Sequence, residues 1–361
     1  MTSDSNRPDP AQDGRTTTTT ETSNTTDVVT GSKAGMSLSD ADTLVELQNV
    51  RKYYPIHTGI LQRHTSDVKA VDGVSFEIRQ GETFGLVGES GCGKSTLGKT
   101  VLHLLEPTSG QVIFDGTDLS SLSSAELRHR RRNIQMIFQD PASSLNPRMS
   151  VEQLIEEPMT SLTDWSKDRR KRRVHELIQE VGLSVEHLPR RPHEFSGGQQ
   201  QRIAIARALS VNPQFIVADE PTSALDVSVQ AKILNLLKDL QAEYNLTFLF
   251  ISHDLSVIRN LCDRVAVMYL GEIAEIAPTK VLFHRAKHPY TKALLSSVPT
   301  MDGLQDDRIQ LEGDVPSPEN PPTGCRYHTR CQEYIGPICK EESPELKLVD
   351  DAQICACHHY E

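Results

Sequence analysis

A glycine-rich segment ending in a lysine and a serine carries the residue types best suited to hold a phosphate. Gly88, Gly93, Lys94 and Ser95 occupy the fixed positions of the pattern G-x-x-x-x-G-K-S. Glycines let backbone N–H groups point inward at phosphate oxygens, and a following helix presents its positive end to the same anion. Lys94 is expected to neutralise the β- and γ-phosphates, and the Ser95 hydroxyl is expected to bind Mg²⁺. The sequence therefore predicts a nucleotide site, because a glycine-rich turn within a core would leave Lys94 unexplained. The expected nucleotide-binding residues are Gly88, Glu89, Ser90, Gly91, Cys92, Gly93, Lys94, Ser95 and Thr96.

Polar side chains stand at the ends of three further apolar runs that are predicted to be strands. They are Gln139, the neighbouring pair Asp219 and Glu220, and His253. Asp219 is suited to hold Mg²⁺ through water, and Glu220 is suited to polarise an attacking water. The alternatives are a strand that runs out into a solvated acidic turn and a histidine with a structural role. Because ligands of open α/β sheets bind outside the carboxyl ends of the strands, we expect these side chains near the phosphate loop.

A second segment has the composition of an anion site at the start of a helix. Ser196, Gly197, Gly198 and Gln199 precede an apolar helical run. Ser196 is predicted to cap that helix, and the two glycines allow an anion to approach the backbone closely. Taken alone, Ser-Gly-Gly is also a common linker turn.

Apolar and alternating runs predict the elements that must position these groups. Strands are predicted over 44–50, 70–78, 83–87, 111–114, 133–138, 215–220 and 247–251, and helices over 96–105 and 229–240. Residues 1–40 are rich in Thr and Ser and are expected to be a disordered tail. The predicted domains are 41–275, with a helical subdomain at about 140–210, and a C-terminal extension over 276–361.

The overall composition indicates a globular protein and argues against nucleic acid as a partner. The 361 residues are 37% hydrophobic and 24% charged, with a formal net charge of −11. Phosphate backbones require a basic surface, which this acidic balance does not favour. No stretch approaches the ~20 apolar residues of a membrane helix, and the N-terminus lacks the pattern of a signal peptide. The protein is therefore expected inside the cell, where stable disulfides are not expected.

Six motifs, in this order along the chain, resemble the nucleotide-binding subunit of ABC transporters. They lie within residues 42–275 and comprise GESGCGKS at 88–95, Gln139, FSGGQ at 195–199, FIVADE at 215–220, SALD at 223–226 and His253. The segments that are similar to the oligopeptide/dipeptide subfamily in particular are 135–147, 192–198, 288–294 and 316–318. The resemblance implies an α/β fold: a P-loop NTPase, ABC-type nucleotide-binding domain with an antiparallel β portion, a helical insertion and a small Cys-rich C-terminal extension.

The resemblance also implies roles for the strand-end and helix-start residues. ATP with Mg²⁺ would lie on the phosphate loop of one subunit and beneath Ser196–Gln199 of a facing subunit. Glu220 would act as general base, an effect typically worth ~10²–10⁴-fold in rate. Gln139 would sense Mg²⁺ and the attacking water, and His253 would hold the γ-phosphate side. Ser95, Gln139 and Asp219 would then surround the Mg²⁺ ion.

Tyr54 and Asp226 receive their roles through the resemblance. From the residues alone, a tyrosine after the strand predicted over 44–50 is as consistent with stacking on a base as with a half-buried ring at a strand end. By its position in the family pattern, Tyr54 is the aromatic that stacks on adenine. Asp226 would shape the dimer interface.

The activity implied by the resemblance is that of an ATPase subunit that powers import of di- or oligopeptides. The implied partners are two transmembrane permeases, a second ATPase that is a related but different chain, and an extracytoplasmic peptide-binding protein. The helical stretch 140–181 would receive a permease helix at the cytoplasmic face of the membrane, where the chain would be peripheral. ATPases for nickel or other solutes are closely similar and are an alternative. Soluble ABC ATPases of DNA repair or translation are a further alternative. Only 56 residues separate Gln139 from Ser196, and the chain carries one ATPase unit, which argues against both soluble types.

Five cysteines lie near the end of the chain, namely Cys325, Cys331, Cys339, Cys355 and Cys357. Thiols at this density in a reducing compartment suggest a metal, although their spacing is irregular for zinc. Four thiolates could equally hold an iron–sulfur cluster, and free thiols are the remaining alternative. Some members of the similar subfamily are thought to hold a [4Fe–4S] cluster at such a pattern. That pattern implies Cys325, Cys331, Cys339 and Cys357 as ligands, with Cys355 as an alternative that departs from it.

Overall fold

The structure, a computed structural model, describes residues 42–58, 63–297, 313, 315–350 and 352–360. Its strands are β1 Thr43–Thr58, β2 Arg63–Arg79, β3 Thr83–Val87, β4 Ser109–Phe114, β5 Thr117–Asp118, β6 Ile134–Ile137, β7 Phe215–Asp219, β8 Thr247–Ile251, β9 Arg264–Tyr269, β10 Glu272–Pro278, β11 Lys347–Asp350 and β12 Gln353–Cys355. Its helices are α1 Lys94–Val101, α2 Ser124–Arg130, α3 Pro141–Ser144, α4 Val151–Leu162, α5 Lys167–Glu180, α6 Gly197–Leu209, α7 Val227–Tyr244, α8 Leu255–Leu261, α9 Thr279–Arg285, α10 Pro289–Ser296 and α11 Ile338–Glu341. The disordered tail expected over residues 1–40 lies outside the described residues.

The larger sheet contains the strands whose carboxyl ends carry the candidate side chains. Its strand order is β11-β12-β10-β9-β3-β8-β7-β6, and the neighbours from β9 to β6 run parallel to one another. Every residue of β3, β7 and β8 is buried, which explains their continuous apolar sequences, because helices cover both faces of a parallel sheet. The loops that follow β3, β8, β7 and β6 therefore emerge side by side.

The smaller sheet is antiparallel, with the order β2-β1-β4-β5. Its strand β1 runs well past the stretch predicted over 44–50, so Tyr54 lies within β1 and not after its end. Tyr53 pairs with Lys69 and Tyr54 with Val68 across the β1–β2 ladder. The prediction ended the strand too early, because the partner strand that supplies these pairs does not show in the periodicity of β1 itself.

Helices α3 to α6 lie between β6 and β7, in the stretch predicted to be a helical subdomain. Helices α4, α5 and α6 place their apolar sides in the main core through Leu154, Leu177 and Ile203, among others. The structure thus confirms an α/β fold with an antiparallel portion and a helical segment. Within the described ranges, no helix combines the length and the apolar character that a membrane span requires.

The C-terminal extension is joined to the larger sheet, a connection that the sequence pattern does not predict. Strand β12 pairs with β10 through Glu275–Cys355 and Ile276–Ile354. The fully buried carboxylate of Glu275 accepts hydrogen bonds from the backbone N–H groups of Lys287 and His288, each at 2.9 Å. It also accepts one from Gln353 Nε2 at 2.6 Å. This carboxylate therefore links two segments of the extension, at 287–288 and at Gln353, to the core.

Replacement of Glu275 tests that link. Glu275→Ala should lower the free energy of unfolding by about 2–5 kcal/mol, because it leaves buried donors without an acceptor. Chemical denaturation of the full chain measures the change. Glu341→Ala, at an exposed position of α11, is the matched control and should change stability by no more than ~0.5 kcal/mol. Equal effects of the two substitutions would contradict the proposed linkage.

Candidate functional site

The phosphate loop and three of the four predicted strand-end side chains, those of Gln139, Glu220 and His253, line one cavity of about 500 Å³. Its lining comprises Val68, Lys69, Ala70, Ser90, Gly91, Cys92, Gly93, Lys94, Ser95, Thr96, Gln139, Glu220, His253, Leu270, Gly271 and Pro318. Residues from the N-terminal strands, the sheet centre and the C-terminal extension thus meet there. The volume falls within the range of small-molecule sites in proteins.

Two glycines of the loop are required by close backbone contacts. Gly93 has φ +110°, and a Cβ atom there would lie 2.0 Å from the carbonyl oxygen of Ala70. Gly88 has φ +155°, and a Cβ atom there would lie 2.2 Å from the carbonyl oxygen of Met268. Both neighbours are backbone atoms, so they cannot move aside as a flexible side chain would. The tight turn that the pattern predicts is therefore enforced by β2 and β9.

Lys94 and Ser95 begin α1 and line the cavity. The Lys94 side chain is almost completely buried, and its Nζ donates to the carbonyl oxygens of Gly88 at 2.8 Å and Glu89 at 2.9 Å. The Ser95 hydroxyl donates to Asp219 Oδ1 at 2.9 Å. Burial raises the pKa of Asp219, and the hydrogen bond from Ser95 offsets part of that shift. The hydroxyl and carboxylate expected to surround Mg²⁺ are thus adjacent.

Three strand-end side chains form one hydrogen-bonded group. Glu220 Oε2 accepts from Gln139 Nε2 at 2.8 Å, and Glu220 Oε1 lies 3.1 Å from His253 Nδ1. Glu220 has φ +44°, a left-handed conformation that costs energy for a residue with a side chain. Its N–H donates to the carbonyl oxygen of Ile251 at 3.0 Å, which holds this conformation. The carboxylate is therefore fixed at the edge of the cavity, where it can orient a water.

The predicted second anion segment does not line this cavity. Ser196 precedes α6, and its N–H and hydroxyl both donate to Gln199 Oε1, at 3.0 and 3.2 Å. A Cβ atom on Gly198 would lie 2.4 Å from Val229 Cγ1, so packing against α7 also requires this glycine. Asp226 caps α7 by accepting from the Val229 N–H at 3.0 Å, and that bond lowers the pKa of its carboxyl. One copy of the chain therefore leaves these residues away from the phosphate loop.

The cavity wall beyond the phosphate loop differs from the expectation that Tyr54 would stack on the nucleotide base. Tyr54 is not among the lining residues, whereas its pairing partner Val68 is. Lys52 Nζ lies 5.4 Å from the centre of the Tyr54 ring. Pro318 lines the cavity, and its carbonyl oxygen accepts from the Lys69 N–H at 3.1 Å. Nothing in the spacing of Pro318, more than 200 residues beyond the loop, indicated this contact.

Four of the five C-terminal cysteines meet at a separate small cavity, lined among others by Cys325, Cys331, Cys339 and Cys357. Cys355 is fully buried on β12 and is not part of that lining. Burial raises the pKa of Cys325 to about 12 and that of Cys331 to about 11, and the other thiols add to the shift.

The donor set suits an iron–sulfur cluster in kind and number, but the space does not. The cavity measures about 10 Å³, roughly the least that one water needs. Among the described residues, no group of three or more Cys, His, Asp or Glu side chains has an arrangement that could hold a metal ion. The thiols would have to spread apart to accept a cluster.

Comparison with known protein families identifies two parts of the chain. Residues 71–223 match the family model described as ABC transporter, and residues 274–339 match that of the oligopeptide/dipeptide transporter, C-terminal region. The oligopeptide transport ATP-binding protein AppF of Bacillus subtilis is 53% identical over 329 residues, which are 90% of this chain and 100% of the relative. A probable peptide ABC transporter ATP-binding protein, y4tS of Sinorhizobium fredii, is 48% identical over 88% of this chain and 90% of its own length.

Solved structures of ATP-binding cassettes share the fold. The dimeric, post-hydrolysis structure of the cassette MJ0796 bound to ADP and Pi matches with a TM-score of 0.59 and 34% identity. The match covers 65% of this chain and 99% of that cassette. CbiO1 from Clostridium perfringens, part of the transporter complex cbiONQ, matches with a TM-score of 0.58 and 27% identity, over 68% of this chain and 92% of its own.

Substitution of different glycines in the phosphate loop should weaken nucleotide binding to different extents. Gly93→Ala forces backbone atoms apart and should weaken MgATP binding by at least about 100-fold, or ~3 kcal/mol. Gly91 has φ +80°, but a Cβ atom added there would have no neighbour within 4 Å. Gly91→Ala should therefore introduce only conformational strain of the backbone, ~1–2 kcal/mol. Its loss should be about tenfold. Titration with a fluorescent ATP analogue measures both, and a larger loss for Gly91→Ala would contradict the loop geometry.

Proposed function

The chain belongs to the ATP-binding subunits of ABC transporters, and on that premise we propose that it powers the import of di- or oligopeptides through separate membrane permeases. As a member of this family it is an ATPase that uses ATP and Mg²⁺. The observation that carries the proposal for its mechanism is the hydrogen-bonded group of Gln139, Glu220 and His253 at the edge of the phosphate-loop cavity.

Peptide as the cargo is supported by the extension and by the relatives. Residues 274–339 match the oligopeptide/dipeptide C-terminal model, and AppF, an oligopeptide transport protein by name, is similar over 90% of this chain. In this proposal residues 41–275 are the ATPase domain and residues 276–361 are the extension that this subfamily adds. The cargo itself is recognised by the extracytoplasmic binding protein and the permeases.

The proposed reaction is an in-line attack of water on the γ-phosphate. Lys94 neutralises phosphate charge, and the loop N–H groups from Ser90 to Thr96 surround the phosphates. Ser95 and Asp219 would hold Mg²⁺, which supplies charge neutralisation at the β- and γ-oxygens. Glu220 takes the proton of the attacking water, while Gln139 and His253 orient that water and the γ-phosphate.

A facing ATPase subunit would complete the site. Ser196–Gln199 and Asp226 lie outside the cavity of their own chain and are partly or fully exposed, so they are available to a partner. Val227, next to Asp226, has 83% of its surface exposed, although it is apolar and begins a helix. The dimeric form of MJ0796 supports this arrangement. We propose a related, different chain as the partner.

A groove beside the helical segment is suited to a permease helix. It has a volume of about 290 Å³ and is lined by Leu104, Phe138 and Pro158, among others. Leu104 is 45% exposed at its edge. An amphipathic helix from a membrane subunit would cover these apolar side chains and contact the segment that leads to Gln139. The chain would then lie at the cytoplasmic face of the membrane as a peripheral subunit.

Import function can be tested with the assembled complex. The tagged chain, purified in mild detergent from its own cells, should bring along two permeases, a second ATPase and a peptide-binding protein. Glu220→Gln should retain this assembly but lose ATP hydrolysis by about 10²–10⁴-fold and with it peptide uptake. Mass spectrometry, phosphate release and labelled-peptide uptake are the measurements. Recovery of the chain alone or with ribosomes, or uptake of nickel but not peptide, would falsify the peptide-import proposal.

An iron–sulfur cluster in the extension is a further part of the proposal. It rests on the convergence of Cys325, Cys331, Cys339 and Cys357 on one cavity, which would have to widen to hold the cluster. Anaerobically purified protein should contain about four iron atoms and four acid-labile sulfides per chain, as one [4Fe–4S] cluster requires. Cys357→Ser should remove most of the iron, and Cys355→Ser should not. Full iron content in Cys357→Ser, or zinc in place of iron, would overturn this assignment.

A further inference from the structure

The first residue after Gly88 in the phosphate loop is held by the C-terminal extension. Glu89 Oε2 accepts from Arg330 Nη1 at 2.8 Å, and Glu89 Oε1 accepts from Arg330 Nη2 at 3.1 Å. These two parallel bonds form the bidentate pairing of a guanidinium with a carboxylate, which fixes geometry as well as adding energy. A residue 241 positions away in sequence thus controls the orientation of the loop side chain.

The pair is shielded from solvent on the side of the extension. The Arg330 side chain is 5% exposed and that of Glu89 is 20% exposed. Arg330 Nη1 also donates to the Tyr269 hydroxyl at 3.3 Å. Because low exposure limits screening by water, this ion pair differs from the surface pairs that contribute little. The guanidinium therefore has a defined position against the loop.

A second side chain of the extension holds the backbone of the same residue. The Glu89 N–H donates to the Tyr290 hydroxyl at 2.9 Å. Tyr290 is fully buried, and its ring packs against those of Tyr269 and Tyr327, with ring centres 4.6 and 5.3 Å away. This packing restricts movement of the Tyr290 hydroxyl. The Glu89 N–H is therefore held in place, as the Glu89 side chain is by Arg330.

The carbonyl oxygen of Glu89 completes a set of three anchors. It accepts from Lys94 Nζ at 2.9 Å, the same ammonium that is proposed to neutralise ATP phosphates. A shift of Glu89 would therefore displace both the start of the loop and the lysine at its end. Neither Arg330 nor Tyr290 lines the nucleotide cavity, and both bond to the phosphate loop at Glu89.

We propose that Arg330 and Tyr290 are positioning residues for nucleotide binding, supplied by the C-terminal extension and acting through Glu89. They hold the phosphate loop in the shape that its N–H groups need to surround a phosphate. The extension thus contributes to the ATP site, in addition to the proposed role of its cysteines in holding an iron–sulfur cluster. This inference rests on the proposed ATPase function and deepens it.

The test measures MgATP affinity in the full-length chain. Glu89→Gln and Arg330→Gln should each raise the Kd for MgATP about tenfold, whereas kcat at saturating ATP should change less than about threefold. The double variant should be no worse than either single variant, because the two residues act as one unit. Tyr290→Phe keeps the buried ring, removes the acceptor, and should raise the Kd about threefold to tenfold.

A matched control comes from the same extension. Lys292 and Glu333 form a 2.7 Å ion pair that does not contact the loop, so Lys292→Gln should leave the Kd unchanged. Thermal melting of every variant separates lost stability from lost affinity. A lower Tm with an unchanged Kd in Arg330→Gln and Tyr290→Phe would show a merely structural role and overturn the inference. Failure of the unmodified chain to bind MgATP would overturn the proposed function instead.

Discussion

Parallel pairing of β3, β8, β7 and β6 is the constraint on which the site depends. Parallel neighbours must end at the same edge of the sheet, so the phosphate loop, the Asp219–Glu220 pair and His253 emerge together with Gln139. The buried strands are apolar along most of their length. They form a rigid support for the site, because they contain few polar groups that could take other hydrogen-bond partners. The left-handed conformation of Glu220 and the buried ammonium of Lys94 both cost free energy. They persist because this framework holds their neighbours in place.

The C-terminal extension is integrated with that framework through several independent contacts. Glu275 joins it to β10, and Arg326 bonds to the carbonyl oxygen of Leu270 and to the Asp72 carboxylate. Pro318 reaches the wall of the nucleotide cavity. The cysteine cavity lies in the same extension, with Cys331 directly after Arg330 in the chain. Cys331 is therefore covalently bonded to the residue whose side chain hydrogen-bonds to Glu89 of the phosphate loop, although the two sites are distinct.

The sequence alone determined most of the catalytic groups and the class of fold. The phosphate loop is a local structure, since glycine conformation, the lysine and the helix start all lie within eight consecutive positions. The strand-end residues were identifiable because a buried parallel strand appears as a short apolar run that ends abruptly in polar side chains. The rule that such ends share one edge then predicts that Gln139, Glu220 and His253 lie near the phosphate loop. Their contacts with one another appear only in the tertiary structure.

The tertiary structure decided what depends on residues far apart in the chain. The extra length of β1 comes from cross-strand pairing with β2, which moved Tyr54 into the strand and put Val68 at the cavity. Strands β11 and β12 and the Arg330–Glu89 pair likewise depend on long-range packing, which leaves no periodic trace in either partner. The sequence identified the cysteines that converge, but it could not predict the size of the cavity between their thiols. That size depends on the path of the chain around the cavity, which is set by the pairing of β12 with β10. Functional groups that lie close together in the chain could be predicted from the sequence. Contacts between distant segments could not, because they contribute free energy only once the chain has folded.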